Sequence, residues 1–422
     1  MHEKVRIAIP FALGFLSCLH GCSCGSDAGN ANDCRIFFHG DKTHNGMLDS
    51  LFQGFWCSKC DKRAIPTDAQ YSTDLNFPKE TFTEDTKACY CIQLQSMFFN
   101  FLYDESSEEV QLACIEVLHR VIIHTERDVL LKTRSEWVKC IEFLLLHSKR
   151  SLREAFCNQI SFFLEGSTLV CLFPEGEMPN LSSEQMFLDK IKDAIAATQD
   201  TQVIETLLEA SAEIMMAVDI NSQLFLTSLI LLVDKLDDLH LTVRVVAARL
   251  INRSCYFHLR GGFELVLSKV SHVRNELFEY LCPRLVNHQR MIREFSEAVL
   301  GIEMKGLVLK MIPVVLPKLV VSQKNDEQSI IILYELAKCL DIDMVQLIVD
   351  WLPKVLAYAL RQADGKDLFS VLQFYHTQTG SEKQEIFAAA LPALLEELVC
   401  FVDDNDVYEI AQRYTTPDSK RS

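Results

Sequence analysis

The sequence predicts an all-α fold, an α-solenoid built from stacked helical repeats, and three observations carry that prediction. First, one phrase recurs late in the chain: Pro283-Arg284-Leu285-Val286, Pro317-Lys318-Leu319-Val320, Pro353-Lys354-Val355-Leu356 and Pro392-Ala393-Leu394-Leu395, with the prolines 34, 36 and 39 residues apart. A fixed period of this size marks stacked units, each too small to bury its own apolar face. Second, an aliphatic residue followed by Arg or Gln opens helices at Val5-Arg6, Val110-Gln111, Leu152-Arg153, Val243-Arg244 and Ile292-Arg293. The intervals are 105, 42, 91 and 49 residues, close to two, one, two and one units of about 45, the period of HEAT or armadillo repeats. Third, only 15 glycines and 11 prolines punctuate 422 residues. No segment alternates with period two, so almost no sheet is expected.

Taken in order, residues 1–60 read as an N-terminal repeat fragment with a loop. Its first 19 residues form a helical hairpin fragment, residues 21–34 are Gly, Ser, Asp, Asn and Cys without periodicity, and Met47 to Trp56 is a short amphipathic piece. Residues 61–88 are polar, carry Pro66 and Pro78, and read as a flexible insertion. Residues 89–294 form helical repeats. Val110, Cys114, Val117, Leu118 and Ile122 keep helical spacing after Asp104-Glu105-Ser106-Ser107. Ser182 with Gln185 forms a capping box that starts the next helix. Val203, Leu207, Ala210, Ile214 and Ala217 then make one apolar stripe, with Glu205, Glu209 and Glu213 opposite. The best copy of the second phrase is Asp238 to Leu250: the acid caps the turn between two helices and can pair with the arginine of its own or the next unit. The proline phrase, recurring at one phase, should bend each unit in the same place. Residues 295–405 form a last helical domain, and 406–422 a divergent tail.

Hydrophobic residues make up 49% of the chain, enough for a core. The formal charge of −17 argues against unaided binding of a phosphate backbone. Local basic strips remain at Arg253 to Arg260 and Arg284 to Arg293, and ordinary solvated helix faces account for both. Ile7 to Leu19 is uncharged and resembles the core of a secretory signal, but Pro10 and Gly14 interrupt it and Val5-Arg6 fits the repeat. Many of the 16 cysteines fall on apolar helix faces, as at Cys114, Cys140, Cys339 and Cys400. The expectation is a reduced, intracellular chain. The uncharged run Ser222 to Val233 is too short to span a membrane.

From about Asp219 the text becomes specific. The carrying residues are Ala217-Val218-Asp219-Ile220, His240-Leu241-Thr242-Val243-Arg244, Gly261-Gly262-Phe263, Arg293-Glu294-Phe295 and Glu297-Ala298-Val299-Leu300-Gly301. The span Met311 to Val402 adds Val345 to Pro353, Leu372-Gln373-Phe374-Tyr375-His376 and Ile386-Phe387-Ala388-Ala389-Ala390-Leu391-Pro392. This resembles the UME domain and preceding HEAT repeats of the ATR checkpoint kinases, phosphatidylinositol-3-kinase-related protein kinases, in their plant form. Residues 1–218 look like an upstream part of the same array, including Phe55-Trp56-Cys57-Ser58-Lys59-Cys60-Asp61. The resemblance places the UME domain at 295–405. It implies a nuclear protein of the DNA-damage and replication checkpoint, with a checkpoint partner subunit and a possible homodimer. It implies no direct nucleic-acid contact and no membrane.

The family is a serine/threonine kinase, yet its catalytic motifs do not occur here. Gly261-Gly262 stands alone, Leu118-His119-Arg120 is followed by Val121, and Gly365-Lys366 is followed by Asp367. Thr415 to Ser422 departs from the family text, as a truncated form would. The expectation is therefore a non-catalytic scaffold acting by protein–protein contact, with no catalytic residue, cofactor or resident metal. An unrelated HEAT or armadillo adaptor, or a truncated form of a full-length kinase, remains the alternative. Cys57, Cys60, Cys89 and Cys91 have metal-ligand character, but the second pair is tight and the gap wide, so loose cysteines in an insertion are the simpler reading. His119, His124, His147 and Tyr375-His376 read as packed helix residues.

Overall fold

The computed structural model describes residues 5–14, 36–39, 55–57, 69–71, 95–103, 107–123, 125, 127–160, 183–322, 327–361 and 366–399. These divide into two compact units, Met1–Asp219 and Ile220–Ser422. Helices dominate both, as the periodicity predicts. The insertion at 61–88, apart from 69–71, and the tail at 406–422 lie outside the described residues, as do Ser182, Cys60, Cys89, Cys91 and His124.

The first unit opens with α1, residues 5–14. A small antiparallel sheet follows, in which β1 (Ile36–His39) lies between β2 (Phe55–Cys57) and β3 (Ala69–Tyr71), with Phe37 opposite Trp56 and Tyr71. Strands of three and four residues are too short to show period-two alternation, so sequence pattern could not announce them. The helices are α2 (residues 95–103), α3 (Glu108–Ile123), α4 (Arg127–Lys132), α5 (Arg134–Leu145), α6 (Arg150–Cys157), α7 (Ser183–Ala197) and α8 (Thr201–Ala217). Gly14 closes α1 onto α3 so tightly that a Cβ there would stand 2.9 Å from the Val117 Cβ. Residues 5–14 thus pack against α3 with Leu13 buried, while Val5, the aliphatic of that copy of the phrase, is exposed.

The core of this unit gathers Phe98, Leu102, Val110, Leu118, Trp137, Phe156 and Phe187, all fully buried. Each such side chain contributes roughly 1.5–3 kcal/mol relative to exposure. Trp137 meets Phe99 edge-on at 4.9 Å. Its indole N–H donates to Gln95 Oε1 (3.2 Å), and Gln95 Nε2 donates to Thr125 Oγ1 (2.9 Å), so the buried polar atoms are satisfied. Helix α6 lies between α3 and α8, and α7 covers another side of α8. This double cover corrects the single stripe expected on α8. Val203, Leu207, Ala210 and Ile214 are buried, but so are Ile204, Leu208, Ala212 and Met215, while Ala217 is exposed.

The second unit comprises α9 (Gln223–Asp234), a 3-10 turn (Lys235–Asp237), α10 (Leu241–Leu259), α11 (Phe263–Lys269), α12 (Ser271–Leu281), a second 3-10 turn (Cys282–Leu285) and α13 (Gln289–Glu294). Helix α13 runs into a π turn, Phe295–Val299, where Leu300 N–H donates to the Phe295 carbonyl at 3.2 Å. Then come α14 (Met304–Ser322), α15 (Glu327–Cys339), α16 (Met344–Asp350), α17 (Leu352–Arg361), α18 (Lys366–Thr379) and α19 (Lys383–Val399). Helix α14 is central, packed on α12, α15, α17 and α18. Starts are capped as residue chemistry dictates: Ser222 Oγ accepts from Phe225 N–H (3.1 Å) and Asp343 Oδ2 from Val345 N–H (2.9 Å).

The proline phrase does not act at one phase. Pro283 starts a 3-10 turn, Pro353 sits in the first turn of α17, and Pro317 and Pro392 lie inside α14 and α19. What recurs is the buried aliphatic that follows, Leu285, Val320, Val355 and Leu356, and Leu394. The period is one of packing, and proline is tolerated at each position for a different local reason.

Candidate functional site

The features that link helical unit to helical unit are side-chain bolts, and the second recurring phrase supplies them. Leu152 and Val243 are fully buried at the openings of α6 and α10. The following arginines do the same thing in both places. Arg153 Nη1 donates to the His147 and Ser148 carbonyls at 2.6 and 3.2 Å. Arg244 Nη1 donates to the Asp238 and Leu239 carbonyls at 3.0 and 3.2 Å. In each case the acceptors lie six and five positions upstream, on the turn between two helices. Each arginine then reaches onward with Nε: Arg153 to Thr206 Oγ1 on α8 (3.4 Å), Arg244 to Glu294 Oε1 on α13 (3.0 Å). Gln111 is a shorter version, donating from Nε2 to the Leu102 carbonyl of α2 at 2.9 Å. Arg293, the last copy, is exposed, so the phrase there marks a buried Ile292 alone.

A planar fork of N–H donors, fixed in direction, serves two turn carbonyls from one end and a third acceptor from Nε at once. Arg153 is buried, and burial pushes its guanidinium down from its ordinary value, with Asp200 opposing. Asp200 itself accepts from Gln202 N–H at 2.9 Å, capping α8.

A second clasp, not foreseen, ties the end of α9 and the 3-10 turn after it to the end of α12, the second 3-10 turn and the start of α13. Asp237 Oδ2 meets His288 Nδ1 at 2.7 Å, Asp237 Oδ1 accepts from Arg290 Nε at 3.0 Å, and Arg290 Nη2 also donates to the Asp237 carbonyl. Asp234 accepts from the Tyr280 hydroxyl and stands 3.9 Å from Arg284 Nε, whose guanidinium lies 3.4 Å from the Tyr280 ring centre. Burial raises the Asp237 carboxyl, but the hydrogen bonds and charges of His288 and Arg290 outweigh it and hold the group below the ordinary carboxylate value. A signal was present in the text: Asp234 with Arg284 and Arg244 with Glu294 are opposite charges 50 positions apart, and His288 follows Asp237 by 51, about one repeat. The basic strip Arg284 to Arg293 thus spends Arg284 and Arg290 on internal acids.

Tyr375 is buried and its hydroxyl donates to the Ile348 carbonyl at 2.5 Å, while His376 Nδ1 donates to the Ser381 carbonyl at 2.8 Å. His147 Nδ1 accepts from Lys149 N–H (3.1 Å), and burial lowers that ring's basicity. His119 is buried. Cys140 and Cys157 are buried thiols pushed up by desolvation, and Cys255 and Cys282 reach about 12, so all four stay protonated. Cys57 lies on β2. Among the described residues no group of three or more His, Cys, Asp or Glu side chains is arranged to hold a metal, and no helix is long and apolar enough to cross a membrane.

No protein-family model matches the chain. Curated relatives do. The chain is 49% identical over 409 residues to the serine/threonine-protein kinase ATR of Arabidopsis thaliana, and 42% identical over 417 residues to that of Oryza sativa, covering 97% of the chain each time. It spans only about 15% of the length of these relatives. The chain is therefore homologous to one segment of ATR kinases, and the resemblance seen from residues 217–402 extends along nearly all of it.

Proposed function

We propose that this chain is a non-catalytic scaffold segment of an ATR-type checkpoint kinase, its HEAT-repeat region plus UME domain, working in the nucleus by holding protein partners on helix ridges. One observation carries the reading: identity of 49% runs through 97% of the chain while only about 15% of the relative is spanned. That segment holds bolted helical units and no kinase motif. Its chemistry is then recognition: rigid helices present side chains at fixed spacing. Partners are proteins, among them the checkpoint subunit that accompanies such kinases.

The test is capture of that recombinant partner subunit by the purified 422-residue chain. Retention above a charge-matched control is the expected result. Clean absence, with nuclear-import cargo retained instead, would make the chain an unrelated adaptor. Sequencing the transcript beyond the codon for Ser422 decides the kinase question: an in-frame kinase domain would make this segment part of an enzyme.

A further inference from the structure

After Glu294, α13 widens into the π turn Phe295–Val299, where Leu300 N–H donates five positions back, to the Phe295 carbonyl (3.2 Å). Ile302 N–H then donates six positions back, to the Ser296 carbonyl (2.9 Å). A turn of this kind holds one residue more than an α-helix needs, is rare, and concentrates at functional positions.

Neighbouring side chains hold the extra residue where it is. Phe295, fully buried, meets Phe263 of α11 edge-on at 5.4 Å. Asn252 Nδ2 of α10 reaches the Ala298 carbonyl at 3.5 Å, and Ser296 Oγ donates to the Arg293 carbonyl at 2.9 Å. Upstream, α13 is tied by Glu294 to Arg244 and by Arg290 to Asp237. Downstream stands Gly301, at φ +67° with open space where a Cβ would be. Glycine there absorbs a change of chain direction without steric cost. Helix α14 follows from Met304. Across the joint α14 packs on α12, Lys310 pairs with Glu264 at 2.7 Å, and Lys318 pairs with Glu279. Both pairs are exposed, so they steady the joint weakly and salt loosens them.

The same residues have a second hydrogen-bond pattern open to them. If Leu300 N–H moves to the Ser296 carbonyl, the bond spans four positions and the turn is α-helical. That carbonyl is the one Ile302 uses in the π form, so the two patterns compete. The Phe295 carbonyl passes to Val299 N–H, and the exchange gives up one backbone bond, that of Ile302, a half-buried residue. Because α13 is tied upstream, the slack of one residue passes into the Leu300–Glu303 link, and α14 leaves at a different angle.

We infer that Phe295–Val299 is a two-position pivot, π in one position and α-helical in the other, on which α14–α19 turn against α12. The break expected between residues 294 and 295 falls on its first residue. The pivot goes beyond the scaffold reading and needs only the fold. A partner that prefers one position would carry the whole face of α14–α19 with it.

Amide hydrogen exchange on the full chain, read by mass spectrometry over residues 295–303, tests the pivot. Exchange there should quicken as salt rises from about 0.05 to 0.5 M, while the buried stretch Leu250–Cys255 of α10 stays slow. Lys310→Gln combined with Lys318→Gln, both outside the segment, should speed its exchange about threefold or more. Lys383→Gln, altered elsewhere, should leave it unchanged. A chain lacking Glu297, which is exposed within the turn, has no residue to store. It should exchange about tenfold more slowly over the segment and ignore salt. Helical circular dichroism checks each variant. If the shortened chain does not fold, the lysine variant and the salt series on the unaltered chain decide. Exchange at 295–303 that ignores both, or that quickens equally at Leu250–Cys255 as general loosening would, overturns the pivot.

Discussion

At the scale of the residue, the two arginine bolts differ in depth. Arg153 is buried; the Arg244 side chain keeps 15% of its exposure. Arg153→Met removes a guanidinium from two turn carbonyls and Thr206, and should cost roughly 3 kcal/mol, since unpaired buried acceptors keep their desolvation penalty. Arg244→Met should cost roughly half as much, because water can reach what it leaves. Arg153→Lys should restore little, as an ammonium cannot fork. Urea midpoints at unchanged slope would read these differences, and a neutral Arg153→Met would refute the bolt. For Asp237 the folded carboxyl is held below its unfolded value of about 3.9. Its stabilisation is therefore complete above that value and disappears as pH falls through the lower, folded one. Asp237→Asn should destabilise the chain at pH 7 and make no difference near pH 2; an equal effect at both would exclude the charged clasp.

Among the elements, local pattern carried far in some places and failed in others. The arginine after a buried aliphatic was legible at Arg153 and Arg244 because helix opening, turn and bolt lie within one short stretch. The clasp of Asp237 with His288 and Arg290 was not, since its partners lie 51 and 53 positions away at the start of α13 and only the fold supplies that adjacency. The proline phase was misleading for a related reason. Sequence shows the spacing of prolines but not where each helix begins, and a first-turn proline costs nothing while an interior one breaks a bond. Pro353→Ala, in a first turn, should change stability by less than about 1 kcal/mol, through the unfolded chain alone. Pro317→Ala, inside α14, should stabilise by about 1–3 kcal/mol, because restoring the hydrogen bond and removing the ring clash outweighs the packing lost with a buried ring. Thermal melts that reverse this order would contradict the assignment of the two positions. Gly14→Ala, whose Cβ would press on Val117, should lose a similar amount through overpacking, against the helix propensity it gains.

Across the whole molecule, each unit has its own buried interior: Trp137, Phe156 and Phe187 in one, Phe225, Phe278, Phe295 and Tyr375 in the other. Residues 220–422 produced alone should thus keep a helical spectrum and a cooperative melt, and a featureless melt would show that the core is not self-sufficient.

The reach of the bolts has a further consequence, in time. Arg153 finds Thr206 and Arg290 finds Asp237 across 53 positions, and Arg244 finds Glu294 across 50. Chains whose partners lie this close fold quickly for their size. At ribosomal speeds of about 5–20 residues per second, the second partner of each bolt follows the first by roughly three to ten seconds. A nascent chain can therefore close one seam before the next has been translated, and an exposed helix edge waits only for the following unit to be made.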